Sequence, residues 1–422
     1  MTKDEDGSIR DAANDGYKSG VGRPSDAVSY HGHRQSYNLL GNATHDSSND
    51  DLQGLRSLLH NKYPLFHFDV NPLLQPAKHE YPDTASTNTL LRAYIHMIRL
   101  RQMDSILQNA QRQGRISFYM TCRGEEAIHF GAASALALED TVLAQYREAG
   151  VLMWRGFTLQ QFADQCFSNK SDLGKARQMP IHYGSRALNY QTISSPLGTQ
   201  LPQAVGAAYL SKLEKKSNVT IVFFGDGCAS TVDFHSACNF AATLKVPVIF
   251  FCRNNGYAIS TPVTEQFAGD GIISRCKGYG MAGLRVDGND LFAVCAAVHA
   301  AKLYALENSS PVMIEAMTYR QGHHSTSDDS TRYRNDGEVR AHDLGDPFLR
   351  ISSFLRDYGI LDFRDSMRIE DAEKFNVLQA MEAAEKKGPP PIQELFEDVY
   401  KTMPHHLKRQ EKQLLDHLGK LD

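Results

Sequence analysis

Two short motifs in the middle of the chain carry chemistry that residue type and spacing alone can suggest. Gly225-Asp226-Gly227 is followed by 26 residues and then by Asn254-Asn255. A lone Gly-Asp-Gly triplet is an ordinary turn, but this one ends a continuous apolar run, Val219 to Phe224. The asparagine pair ends the next run, Val246 to Cys252, and a helical pattern with Phe240, Ala241 and Leu244 lies between them. A right-handed strand–helix–strand crossover brings both strand ends to one edge of a parallel sheet, where open α/β folds bind ligands. Asp226 and Asn255 would there offer oxygen ligands to a hard divalent ion such as magnesium, which keeps open positions for phosphate oxygens. The flanking glycines let the backbone approach a diphosphate closely.

The surrounding pattern must supply that sheet. Leu284-Arg285-Val286, an Ala-rich helical stretch from Leu291 to Leu306, and the run Val312 to Met317 repeat the same cycle. Strands without polar alternation are buried on both faces, so the expected fold is α/β, a parallel sheet with helices on both faces. Upstream, Leu91, Tyr94, Ile95, Ile98 and Ile106 recur at helical steps after Ser86-Thr87-Asn88. Residues 322–345 break the cycle with Gly, His, Ser, Asp and Arg, an irregular segment of the kind that is functional or mobile. Gly388-Pro389-Pro390-Pro391 is a rigid break before a charged amphipathic C-terminal helix. The predicted organisation is a disordered or extended arm over 1–85, an α/β domain over 86–365 and a helical extension over 366–422. Within the arm, Tyr63-Pro64-Leu65-Phe66-His67-Phe68 reads as a docking segment or an isolated strand.

Composition narrows the function classes. The 422 residues hold 45 Lys+Arg and 49 Asp+Glu, a formal charge of −4, which argues against a nucleic-acid binder. No stretch approaches the ~18 uncharged apolar residues of a membrane span. The seven cysteines (Cys122, Cys166, Cys228, Cys238, Cys252, Cys276, Cys295) are dispersed with no C-x-x-C, the pattern of reduced core thiols. The first twenty residues include Asp4, Glu5, Asp6, Asp11 and Asp15, unlike an Arg-rich, acid-poor transit peptide.

Four further segments sharpen the reading. Gln145-Tyr146-Arg147-Glu148-Ala149-Gly150, Ser194-Ser195-Pro196-Leu197, Arg253 through Ser260, and Tyr319 through Asp329 with its paired His323-His324 resemble one family. It is the alpha subunit of the branched-chain 2-oxo acid dehydrogenase decarboxylase component, and the resemblance covers roughly residues 87–400. The resemblance implies a thiamine-diphosphate-binding fold and thiamine-diphosphate-dependent oxidative decarboxylation of branched-chain 2-oxo acids, with acyl transfer to a lipoyl domain. By the same resemblance Asp226, Asn255 and the Tyr257 carbonyl would hold magnesium. Tyr146, Arg147, Arg253 and His324 would contact the cofactor, whose diphosphate suits planar guanidinium forks. Ser195 and Leu197 would face the aminopyrimidine, and Gly227 and Cys228 the diphosphate. Ser194, Pro196, Thr199 and Gln200 match a potassium site. His324 is the expected proton-transfer residue, since imidazole titrates near neutral pH, and Ser325 matches an inhibitory phosphorylation site.

The implied partners are a beta subunit in an α2β2 heterotetramer, a lipoyl-bearing acyltransferase core, and a regulatory kinase and phosphatase. The implied compartment is the mitochondrial matrix. The glutamate that serves the cofactor's aminopyrimidine belongs to the family's beta subunit, so this chain alone is expected to be inactive. The chain departs from the family after Gly227, where Thr231-Val232 replaces Glu-Gly, and at Asn335, where the family has a second phosphoserine. A β-branched Val232 would strain the turn if that glycine used positive φ or close packing. That departure leaves as an alternative a non-catalytic or regulatory paralogue that binds the beta subunit, and a pyruvate-type 2-oxo acid dehydrogenase alpha subunit is a further one. A plain dinucleotide-binding domain is weaker, because no G-x-G-x-x-G follows a first strand.

Overall fold

A computed structural model of the chain describes residues 87–343 and 345–419, so the expected 1–85 arm and its apolar segment lie outside the described residues. In chain order the main elements are α1 (Thr87–Arg112), α2 (Glu126–Ser134), β1 (Thr141–Leu143), α3 (Ala149–Trp154), α4 (Leu159–Cys166) and α5 (Gln200–Leu213). They continue with β2 (Thr220–Gly225), α6 (Val232–Leu244), β3 (Val248–Asn254), β4 (Tyr257–Ala258), β5 (Thr261–Pro262), β6 (Ala282–Asp287), α7 (Leu291–Asn308) and β7 (Val312–Met317). The last are α8 (Asp336–Asp343), α9 (Pro347–Asp357), α10 (Phe363–Glu385) and α11 (His405–Leu418).

Five strands form one parallel sheet in the order β1-β2-β3-β7-β6, and β4 pairs with β5 as a small antiparallel ribbon. The apolar runs are continuous because both faces of this sheet are covered. Ile221, Phe223, Ile249, Phe251, Val312 and Ile314 pack into one core with Met97 of α1, Ile128 of α2 and Val298 of α7. The intervening residues Val222, Phe224, Val248, Phe250, Cys252 and Met313 pack on the other side with Leu201 of α5 and Phe234 of α6. This is the expected fold class. All seven cysteines are buried in it, and burial pushes the Cys228 thiol up to about 12, so that group is not poised as a thiolate. Among the described residues no helix is long and apolar enough to cross a membrane.

Three boundaries differ from the sequence expectation. β3 starts at Val248, after Pro247, and runs two polar residues further, through Arg253 and Asn254, which register with Ala316 and Met317 of β7. Those polar residues stay in a buried strand because carboxylates meet them, as described below. The 322–345 segment is not wholly irregular, since it holds a 3-10 turn at Ser330–Arg332 and the helix α8. No side chain of α8 is buried, so it leaves no apolar period to read. Its start is set instead by Asn335, whose Oδ1 accepts the Glu338 N–H at 2.8 Å, and acids sit in its first turn and bases in its last. Finally, α10 begins at Phe363, so the predicted 365/366 boundary falls in its first turn. Val377 and Met381 of α10 join the main core, and Glu373 takes a two-pronged ion pair from Arg99 of α1 at 2.7 and 2.9 Å.

Candidate cofactor and metal site

Parallel pairing puts the carboxyl ends of β1, β2, β3 and β7 along one edge, and a motif follows each of them. Gln145-Tyr146-Arg147 follows β1, Asp226-Gly227 follows β2, Asn255-Gly256-Tyr257 follows β3, and Tyr319 to Asp329 follows β7. The register Gly225↔Arg253 and Asn254↔Met317 aligns the last three side by side. Glycine is needed at only one of the two positions in the Gly-Asp-Gly turn. A Cβ on Gly227 would lie 2.6 Å from the Ala258 Cβ, whereas one on Gly225 would meet nothing closer than 3.8 Å. The Gly225 N–H is held by Gln145 Oε1 at 2.8 Å.

Asp226 is 1% exposed, and among the described residues one side-chain partner reaches it, Gln266 Nε2 at 2.8 Å. Burial pushes its carboxyl above the ordinary carboxylate range, with Gln266 pulling it part of the way back. Asn255 donates from Nδ2 to Glu125 Oε1 at 2.9 Å, and its Oδ1 accepts the Tyr257 N–H at 3.2 Å. A carboxylate and a carboxamide oxygen are hard donors of the kind magnesium takes.

Arg253 is 1% exposed and sits between two buried carboxylates. Its Nη1 donates to Glu125 Oε2 at 2.6 Å, and its Nε donates to Glu148 Oε1. Glu148 Oε2 in turn accepts the Gln145 and Tyr146 N–H groups at 2.9 and 3.0 Å. Burial works to raise the Glu125 carboxyl, but Arg253 and Arg147 outweigh it, so the group ends below its ordinary value and stays ionised. The charge of Arg253 is thus already balanced within the protein.

His324 departs from the sequence expectation. Arg147 Nη2 and Arg320 Nη1 lie 3.3 and 3.2 Å from its Nδ1. Guanidinium groups only donate, so Nδ1 is an acceptor and the ring proton sits on Nε2. Burial and these two cations push His324 down to about 3, far from the neutral titration expected of an ordinary imidazole. The loop that carries it is built from local partners. Asp328 Oδ2 accepts the His324 N–H at 2.6 Å and the Tyr333 hydroxyl, and Arg320 Nη2 donates to that hydroxyl at 3.0 Å. Arg334 lies over the rings of Tyr257, Tyr319 and Tyr333, and Glu338 accepts the hydroxyls of Tyr257 and Tyr319 at 2.9 Å. Tyr146 meets His324 edge-on, and Ser325 is half-buried with its hydroxyl on Ser327 at 3.2 Å.

The segment 194–200 stands before α5. Thr199 Oγ1 lies 3.0 Å from the Pro196 carbonyl and 3.4 Å from Ser194 Oγ, and Gln200 Nε2 donates to the Phe223 carbonyl at 3.2 Å. Ser195 donates to His182 Nε2 at 2.7 Å, since His182 Nδ1 faces the Pro180 carbonyl, and Leu197 is exposed. Gly198 has φ +92°, and a Cβ there would lie 2.6 Å from Thr231 Oγ1. Thr231 caps α6 by accepting the Phe234 N–H, and Val232 is its first residue, 80% exposed and outside the positive-φ residues. The strain expected of Val232 is absent because the position is neither left-handed nor crowded. Val232→Gly is accordingly expected to leave turnover of the assembled enzyme unchanged and to lower stability by no more than ~1 kcal/mol, checked by kinetics beside a melting curve.

Sequence reading missed Glu125, Glu315, Arg320, Asp328 and Arg334. Glu315 in β7 is fully buried and accepts from Asn254 Nδ2 at 2.8 Å and from Arg285. Charged residues inside an apolar strand, as in Val312–Met317, and the acidic pair Glu125-Glu126 after Gly124 were the available signals.

The model of the dehydrogenase E1 component family matches residues 94–393. The chain is 53% identical over 336 residues to the mitochondrial 2-oxoisovalerate dehydrogenase subunit alpha of Dictyostelium discoideum, covering 79% of this chain and 76% of that protein. It is 53% identical over 333 residues to the subunit of that name from Caenorhabditis elegans, covering 78% and 77%. The human subunit is 52% identical over 330 residues, covering 78% and 74%.

Proposed function

The chain belongs to the dehydrogenase E1 component family, and from that premise we propose that it serves as the α subunit of a branched-chain 2-oxo acid dehydrogenase in mitochondria. The observation that carries the reading is the convergence of four motifs on one sheet edge, within a chain about half identical to such subunits over most of its length. The reaction is thiamine-diphosphate-dependent oxidative decarboxylation of 2-oxo acids such as 2-oxoisovalerate. The family role brings a β subunit and the core of a larger complex as partners.

Thiamine diphosphate, when bound, supplies the electron sink that lets carbon dioxide leave a 2-oxo acid and carries the acyl group onward to a lipoyl arm. The residues on this edge suit it. Asp226, Asn255 and the Tyr257 carbonyl would hold magnesium, and the cationic mouth formed by Arg147 and Arg320 suits a diphosphate. Arg253 would contact the cofactor from between Glu125 and Glu148, which hold it in position and balance its charge. Tyr146, Ser195, Leu197, Gly227 and Cys228 would line the cofactor. His324 holds its proton on Nε2 and can donate it in a hydrogen bond to an anionic oxygen, a role that neutral imidazole fills without itself titrating. Ser194, Pro196, Thr199 and Gln200 would take potassium and brace the turn before α5. The proton-accepting glutamate is assigned to the β subunit.

The test is co-expression with a β subunit, followed by decarboxylation of 3-methyl-2-oxobutanoate and of pyruvate with magnesium and thiamine diphosphate. Branched substrate is expected to turn over faster. Faster pyruvate turnover would overturn the substrate class, and a folded tetramer that binds no cofactor would overturn the enzyme reading.

Ser325 adjoins His324, and its carbonyl accepts the Asp328 N–H at 3.2 Å. A phosphate there would add about −1.5 to −2 charges beside Asp328, loosening the contacts that hold His324 and repelling an anionic substrate. Control by a kinase and a phosphatase acting on Ser325 is part of this reading. Ser325→Glu is expected to lower decarboxylation and lipoyl acylation in the assembled enzyme about tenfold or more; unchanged rates would count against it.

A further inference from the structure

Glu125 stands behind the metal donors rather than among them. It is fully buried, and its two oxygens have different tasks: Oε1 accepts from Asn255 Nδ2 at 2.9 Å, and Oε2 accepts from Arg253 Nη1 at 2.6 Å. We propose that Glu125 is the positioning residue that turns the Asn255 carboxamide so that its oxygen, not its nitrogen, faces the divalent cation. The inference rests on the reading of Asp226, Asn255 and Tyr257 as the magnesium ligands.

The two ends of a carboxamide have nearly the same shape, so packing alone does not choose between them. Hydrogen-bond chemistry does. An ionised carboxylate has no proton to give and can only accept. It therefore takes the NH2 end of Asn255 and sends Oδ1 to the opposite side, where it meets the Tyr257 N–H at 3.2 Å and keeps a lone pair free. That lone pair is the one the proposed site asks for, since magnesium takes oxygen donors. Partners behind a metal's ligands commonly act in this way, and losing one typically weakens metal affinity by about 10–100-fold.

Glutamine at 125 would reverse the logic while keeping the shape. Its single oxygen would stay on Arg253, the charged and therefore stronger donor. Its NH2 would face Asn255, and the Asn255 carboxamide would flip to accept that hydrogen bond. The NH2 of Asn255 would then point at the cation. Aspartate at 255 would remove the conflict, because a carboxylate has an oxygen on both sides.

The experiment uses the assembled αβ enzyme with saturating thiamine diphosphate and follows Mn2+ binding by its paramagnetic resonance signal. Glu125→Gln is expected to weaken Mn2+ binding by about 10–100-fold, and Glu125→Gln/Asn255→Asp to recover most of that loss. Asn255→Ala reports on the underlying reading. If it binds Mn2+ like the wild type, Asn255 is not a ligand and the proposal falls with that reading. If Asn255→Ala loses Mn2+ while Glu125→Gln keeps it, the ligand reading stands and the role of Glu125 is overturned. A double variant no better than Glu125→Gln also overturns it. Should Glu125→Gln fail to assemble, the double variant decides alone: near-native affinity supports the orienting role and a lost site refutes it.

Discussion

Replacing Asp226, the proposed magnesium ligand, with Asn is expected to abolish magnesium-dependent cofactor binding and lower turnover by about 10³-fold or more, since a charged metal ligand contributes several kcal/mol. The same change is expected to make the metal-free protein more stable. Asp226 is 1% exposed, with Gln266 as its side-chain partner, so its charge is costly until a cation arrives. Burial raises its carboxyl above the unfolded value. The folded chain thus holds that proton to higher pH than the unfolded chain, and stability falls as pH rises through the folded pKa. Asn carries no charge and removes that loss. Paired measurements check the prediction: thiamine diphosphate titrations with and without magnesium, and melting curves of metal-free enzyme near neutral pH. A variant that binds the cofactor normally, or that melts below the wild type without metal, would refute it.

Arg253→Met should have the largest effect on folding. The side chain is enclosed, and its removal leaves Glu125 and Glu148 facing each other's charge with neither in reach of water. Breaking a buried ion pair from one side typically costs about 3–5 kcal/mol, a large part of the roughly 5–15 kcal/mol that holds a domain together. Lysine would not substitute, because one ammonium cannot span two carboxylates as a planar guanidinium does. The pH dependence should invert as well. In the wild type the depressed Glu125 contributes stability that is present above its unfolded pKa and lost as pH falls through its folded value. Without Arg253 burial is left to dominate, the carboxyl rises, and acidification from neutral pH should stabilise the variant. Melting temperatures of both enzymes at pH 7.5 and pH 5 distinguish these slopes, and parallel behaviour would overturn the assignment.

Much of the site is legible before folding. Asp226 and Asn255 can be paired in sequence because each ends an apolar run, and a parallel crossover permits one arrangement of those ends. The resemblance then adds Tyr146, Arg147 and His324, which the structure gathers at the same edge. Less legible is what each charge does. Arg253 looks like a free cation on the way to a phosphate, yet its carboxylate partners are Glu125 and Glu148, 128 and 105 residues away in sequence. The helix α8 was hidden for a simpler reason: with no buried face it has no period.

The amino-acid sequence by itself determined the fold class and which motifs stand at the ends of its strands. These follow from local periodicity and from the handedness of crossovers, which depend on neighbours along the chain. Tertiary structure decided the protonation of His324, the balanced charge of Arg253, the harmless position of Val232 and the orientation of Asn255. Each depends on groups brought together from distant parts of the chain, where burial removes water as an alternative partner and leaves each charge to its protein neighbours. Asn255 meets Glu125 across 130 residues of sequence, and that contact sets which atom of the side chain is available to a metal.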